Sequence, residues 1–127
     1  MRQEQMIHEI KALCGKLDTI PNLGYHFIYN DYHILYIANE IEGLHRFCIP
    51  HIVNAEDYEP TLLSEIINKV NRDVKYVKVI LRNNRSVSLE YDHKTEHQEH
   101  CVELILHILN TLIFAANHLT QSLASQT

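Results

Sequence analysis

The chain has 127 residues, 46% of them hydrophobic and 21% charged, and a formal net charge of −5 with histidine neutral. That length holds one core without covalent staples, and the charge argues against a nucleic-acid surface, because displacing counterions from a phosphate backbone needs a basic stripe and Lys and Arg form no cluster here. Cys14, Cys48 and Cys101 are widely spaced, odd in number and without a CxxC pair, which argues against a disulfide framework and fits a reducing compartment.

The first residues, Met1 to Gln5, lack the apolar run of a signal peptide. Met6, Ile7, Ile10, Leu13, Cys14 and Leu17 recur at one face of a helix from about Arg2 to Leu17. Asp18 to Gly24, with Pro21 and Gly24, reads as a loop. Two strands follow, Tyr25 to Tyr29 and Tyr32 to Ala38, joined by a tight turn at Asn30-Asp31, since both residues tolerate positive φ. That register sets Tyr29 opposite Tyr32, Phe27 opposite Ile34 and Tyr25 opposite Tyr36. One face is then an aromatic ladder, and the other carries His26, Ile28, His33, Leu35 and Ile37. Neither is plainly polar, so some cover is expected on both sides.

A third strand runs from about Leu44 to Val53, where Pro50 predicts an edge or a bulge. A helix starts near Pro60, buries Leu62, Leu63, Ile66, Ile67 and Val70, and ends at Asn71-Arg72-Asp73. A second hairpin joins Lys75–Arg82 to Ser86–Asp92 through a loop of Asn83, Asn84 and Arg85. This register keeps Val77, Val79, Leu81, Val87, Leu89 and Tyr91 on one face and sets Lys78 against Glu90. Thr95 and Gln98 match a capping box at the head of a last helix reaching Leu123. This helix carries two apolar stripes. One runs through Cys101, Ile105, Ile108, Leu112, Ala115 and Leu119, the other through Val102, Leu106, Leu109, Ile113 and Ala116. Two stripes exceed what docking on a sheet requires, which predicts a homodimer. The greasiest part, Leu104 to Leu119, is broken by His107, Asn110, Thr111 and Asn117. It is short for a membrane span, so a cytoplasmic protein without membrane contact is expected.

The expected fold is α+β, one domain over 1–127 in the order α-β-β-β-α-β-β-α, with a five-stranded antiparallel sheet packed against helices. Over roughly Arg2 to Leu123 this order resembles the class I type III secretion chaperones and the related YbjN-like bacterial family. The resemblance lies in element order and lengths and carries no diagnostic motif. It implies a twisted five-stranded sheet flanked by the first and last helices, and a non-enzymatic homodimer that holds an extended polypeptide partner.

No GxSxG, HExxH or Gly-rich phosphate loop occurs, so no catalytic residue and no cofactor is expected. Tyr25, Phe27, Tyr29, Tyr32 and Tyr36 are the candidate partner-binding surface, because tyrosine offers contact area with a hydroxyl at home in water. The competing reading covers them with a helix of the same chain or of a dimer mate. Tyr29 and Tyr32 flank the turn and are expected clear of the chain's own helices. The alternative function is a small metal-dependent enzyme or metal sensor. His93, His97, His100 and Cys101 have the spacing of a four-ligand zinc site, although Cys101 also starts an apolar stripe. Glu99, Glu103 and His107 recur along one helix ridge and read as its wet side. His26 and His33, read as direct cross-strand neighbours, form a candidate titrating pair.

Overall fold

Gly15 adopts the left-handed backbone region (φ 79°) and its N–H bonds the carbonyl of Lys11, so the first helix, α1 (Gln3–Cys14), stops short of the expected Leu17. The structure, a computed structural model, describes residues 3–94 and 101–125. Six strands follow: β1 (Asp18–Ile20), β2 (Gly24–Tyr29), β3 (Tyr32–Asn39), β4 (Leu44–Asn54), β5 (Val77–Leu81) and β6 (Ser86–Lys94). Helix α2 (Pro60–Asp73) precedes β5, a short 3-10 turn at Ala55–Asp57 precedes α2, and α3 (Cys101–Ala124) closes the chain. The strands form one sheet in the order β1-β2-β3-β4-β6-β5, antiparallel at every pairing.

The sheet therefore has six strands rather than five, and the sixth lies in the expected loop. Pro21 and Asn22 (φ 64°) form the corners of a turn closed by the Leu23 N–H on the Ile20 carbonyl at 3.1 Å. Proline followed by a positive-φ asparagine is the type II signature, and it folds Asp18–Ile20 back onto β2. Gly24 is needed at the end of this turn, because a Cβ there would collide with the carbonyl oxygen of Tyr36.

The β2–β3 hairpin has the expected register, with Asn30 (φ 49°) and Asp31 (φ 66°) both left-handed. The β5–β6 hairpin also matches. Arg85 (φ 65°) ends a three-residue loop, Val79 faces Leu89 and Lys78 faces Glu90. Strand β5 starts at Val77 rather than Lys75 because Tyr76 is left-handed (φ 72°). Pro50 marks a bulge and not an edge: β4 is central, and between Ile49↔Leu89 and Val53↔Val87 four steps along β4 answer two along β6. The α2 N-terminus is capped by Glu59, whose carboxylate accepts from the Thr61 and Leu62 N–H groups and is held below the usual carboxyl range by them. At the other end, the Asn71 side chain accepts from the Val79 N–H at 2.7 Å and donates to the Val79 carbonyl at 3.1 Å.

One face of the sheet makes the core. Phe27, Ile34, Tyr36, Phe47, Ile49, Val79, Val87 and Leu89 lie beneath Met6 and Ile10 of α1, Leu63, Ile66 and Val70 of α2, and Ile105, Ile108, Leu112 and Leu119 of α3. The first α3 stripe is fully buried from Ile105 to Leu119; of the second, Leu109 and Ala116 are buried while Val102 is exposed and Leu106 and Ile113 are half-buried. Leu63, Ile66, Ile67 and Val70 on α2 are also buried within the chain, so much of the apolar excess read from the helices is covered, while Val102 and Phe114 of α3 stay exposed. By length and composition Val102–Ala124 would suffice to cross a membrane, and in this fold its most apolar line faces the sheet. The proposed helix start at Thr95, with its capping box to Gln98, lies outside the described residues.

The helix-free face of the sheet as candidate binding surface

Alternation along each strand sends every second side chain away from the helices. His26, Ile28, His33, Leu35, Ile37, Arg46, Cys48, Ile80, Arg82, Ser88, Glu90 and Asp92 share that other face by register. No described helix covers it, so cover on this side of the β2–β3 hairpin would have to come from another molecule. Ile28 is 50% exposed and His33 is exposed. One half of this face, on β4, β6 and β5, is charged. The other, on β2, β3 and part of β4, is largely apolar.

In the charged half, Arg46 stands directly across from Asp92 and grips it at two points: Nε to Oδ1 at 2.6 Å and Nη2 to Oδ2 at 2.9 Å. The hydrogen bond from Arg46 holds the Asp92 carboxyl below its ordinary value. Glu90 is only 4% exposed, yet it bears a carboxylate. Arg82 donates to it through Nη2 at 2.6 Å, Arg46 lies at 3.7 Å, and Arg82 Nε donates to Ser88 Oγ at 3.1 Å. The cross-strand position of Lys78 opposite Glu90 is as read, but the carboxylate goes to the two arginines instead. A guanidinium presents several donors in a fixed plane and so satisfies a sunken carboxylate better than a lysine does.

Asp92 implies a pH dependence. Its folded-state value is depressed, so its contribution to stability is complete above the unfolded-state value, about 4, and is lost as pH falls through the folded-state value. Denaturant titrations are expected to show stability falling below about pH 4, with a shallower fall in Asp92→Asn. An unchanged slope would remove Asp92 from that account.

In the apolar half, His26 and His33 are not direct neighbours: the register pairs His26 with Leu35 and Ile28 with His33. They meet on the diagonal, His26 Nε2 to His33 Nδ1 at 2.8 Å, and Asp18 Oδ2 of β1 lies 3.5 Å from His26 Nδ1. Between the halves runs a cleft of about 510 Å³, floored by Leu35, Ile37, Cys48 and Pro50 and rimmed by His51, Arg82, Asn84 and Ser86. Burial pushes the Cys48 thiol up to about 11, which makes it a protonated wall rather than a nucleophile.

The aromatic ladder is on the opposite, helix-bearing face. Phe27 and Tyr36 are buried, with the Tyr36 hydroxyl 2.6 Å from Nδ1 of buried His45; Tyr25, Tyr29 and Tyr32 are half-buried against the core. Tyr29 donates to Asn110 at 3.4 Å and Tyr32 to Asn117 at 2.8 Å, both on α3, so the chain's own helix reaches the hairpin tip expected to stand clear of it. Of the metal alternative, His97 and His100 lie outside the described residues, as does the side chain of Cys101. His93 is on β6 across from His45. Among the described residues no group of three or more His, Cys, Asp or Glu is placed to hold a metal ion. Glu99 is likewise outside them; Glu103 is exposed, and His107 packs edge-on to Tyr76 and Tyr91. Arg46, Arg82 and Asp92 are not singled out by the sequence, and Glu90 only as the partner of Lys78, although the alternation of Ser88, Glu90 and Asp92 with Val87, Leu89 and Tyr91 already places those three on one face.

The site thus belongs to an α+β protein with a single antiparallel sheet, helices on one side and an open surface on the other. Comparison of the chain with protein-family models, curated proteins and solved structures gave no match.

Proposed function

We propose that the protein is a non-enzymatic protein-binding module, that it acts as a homodimer, and that it offers the helix-free face of its sheet to an extended polypeptide. The observation that carries this reading is Ile28, 50% exposed at the centre of a patch with His26, His33 and Leu35, on strands whose other side is anchored in the core. A β-branched residue placed in water on a rigid strand is a natural contact for a second protein surface. Ile28 is the proposed contact between the two copies, and the cleft beside Leu35 and Ile37 is left for the polypeptide. The partner surface first read as the aromatic ladder moves, in this reading, to the opposite side of the same hairpin.

Light scattering at high micromolar concentration is expected to give twice the 14.9 kDa chain mass. Ile28→Asp should return the mass to one chain without lowering the chemical-denaturation midpoint of the single chain, since the side chain is outside the core. A wild-type monomer under these conditions would defeat the homodimer.

A further inference from the structure

In a chain with 16 Asp and Glu against 11 Lys and Arg, the lining of the helix-free cleft departs from the average. A second cleft of about 240 Å³ adjoins the one of about 510 Å³ and shares His51, Asn84 and Ser86 with it. The linings of the two clefts include Arg82, Arg85 and His51, and no carboxylate. The Glu90 carboxylate is buried beneath Arg82 and anchors it. Two nitrogens of that guanidinium are fixed, Nη2 by Glu90 and Nε by Ser88, so the group is held in one orientation before any ligand arrives. Two of the six left-handed non-glycine residues among the described residues lie on the rim. His51 (φ 52°), in the β4 bulge, and Arg85 (φ 65°), in the β5–β6 loop, are both non-glycine residues in the left-handed region. The floor is the reverse of the rim: Leu35, Ile37, Cys48 and Pro50 offer carbon and a protonated thiol.

We propose that this cleft binds an amphipathic anion, an apolar acyl or aromatic body that lies on Leu35, Ile37 and Cys48 and bears an anionic oxygen group that accepts from the side chains of Arg82, Asn84 and Arg85. The volume is within the range of small-molecule sites, about 300–1,000 Å³, and the mixture of apolar floor with a few convergent donors is the usual composition of such sites. The polypeptide of the reading above would supply the same chemistry through a C-terminal carboxylate beside an apolar side chain. The inference rests on that reading for the choice of face alone, and not on dimerisation.

Backbone-amide NMR of the wild-type protein, titrated separately with octanoate, octyl phosphate, octanol and octylamine, tests it. Octanoate or octyl phosphate is expected to move the amides of His51, Ile52 and residues 83–88. The better of the two names the head group as carboxylate or phosphate. Octanol should bind at least tenfold more weakly and octylamine should leave these amides unmoved. The double variant Arg82→Met/Glu90→Leu, which leaves no sunken carboxylate unpaired, should reduce the anion's advantage over octanol to less than threefold. Octanol binding as tightly as octanoate, shifts confined to another surface, or no shifts at millimolar anion would each overturn the inference. Light scattering on the same samples keeps the two readings apart. Silent amides in an intact dimer remove the ligand alone, and anion binding by a monomer removes the dimer alone.

Discussion

Val79→Asp is expected to unfold the protein at room temperature, whereas Lys78→Asp, one residue away, is expected to cost less than about 1 kcal/mol. Val79 is 4% exposed, stands across from Leu89 and has both backbone groups held by Asn71. A carboxylate there finds no cation, and burying it unpaired costs several kcal/mol against a total stability of about 5–15 kcal/mol. Lys78 points to the helix-free side and is exposed; its replacement sets two acidic residues opposite each other, but Glu90 is already neutralised by Arg82 and Arg46. Urea titrations of both variants check the assignment of faces. Equal midpoints would refute it.

The second large effect concerns the sunken carboxylate. Arg82→Met is expected to destabilise the protein by about 2–3 kcal/mol, because the buried Glu90 side chain loses its shortest hydrogen bond, leaving Arg46 at 3.7 Å. The arginine is nearly half exposed, so water relieves part of the deficit and the loss stays below that of a fully enclosed pair. Adding Glu90→Leu should restore most of the stability, since the groove floor beside Cys48 and Leu35 accepts a leucine and no unpaired charge remains. The pair of results is diagnostic: a double variant as unstable as the single one would mean that Arg82 acts through its packing and not through Glu90.

What could be read from the sequence, and what could not, follows from where the determining information is local. Both long hairpins were legible down to register, because Asn30-Asp31 and Asn83-Asn84-Arg85 are short loops whose residues accept left-handed φ and so fix which side chains face each other. Strand β1 was not, because three residues are too few to display a period of two. The only available signal was Pro21-Asn22 at the corners of a turn. The cover of the aromatic ladder depended on length. Helix α3 has 24 residues, about 36 Å at 1.5 Å per residue, and outreaches a six-residue β2, so Asn110 and Asn117 arrive over Tyr29 and Tyr32. The arginine–carboxylate network was half legible. Alternation fixed its face, but Arg82 bridges to Glu90 on a diagonal between strands that no single-strand pattern contains. The expected homodimer rested on apolar stripes that the three helices and the sheet mostly bury among themselves.

The grip of Asn71 on Val79 bears on how far copies of this chain can polymerise. A fibre of sheets needs two free edges per subunit, one to receive a neighbour and one to be received. At β5 the outward-facing N–H and C=O of the middle residue, Val79, are already taken by a side chain from α2, so an incoming strand finds that donor and acceptor occupied. Among the described residues the other border of the sheet is β1, three residues long. Two molecules joining there border to border would be related by a two-fold axis, and both outer borders of the resulting pair would be β5. Further growth through the sheet would have to use β5, where the Asn71 amide already occupies the middle of the strand.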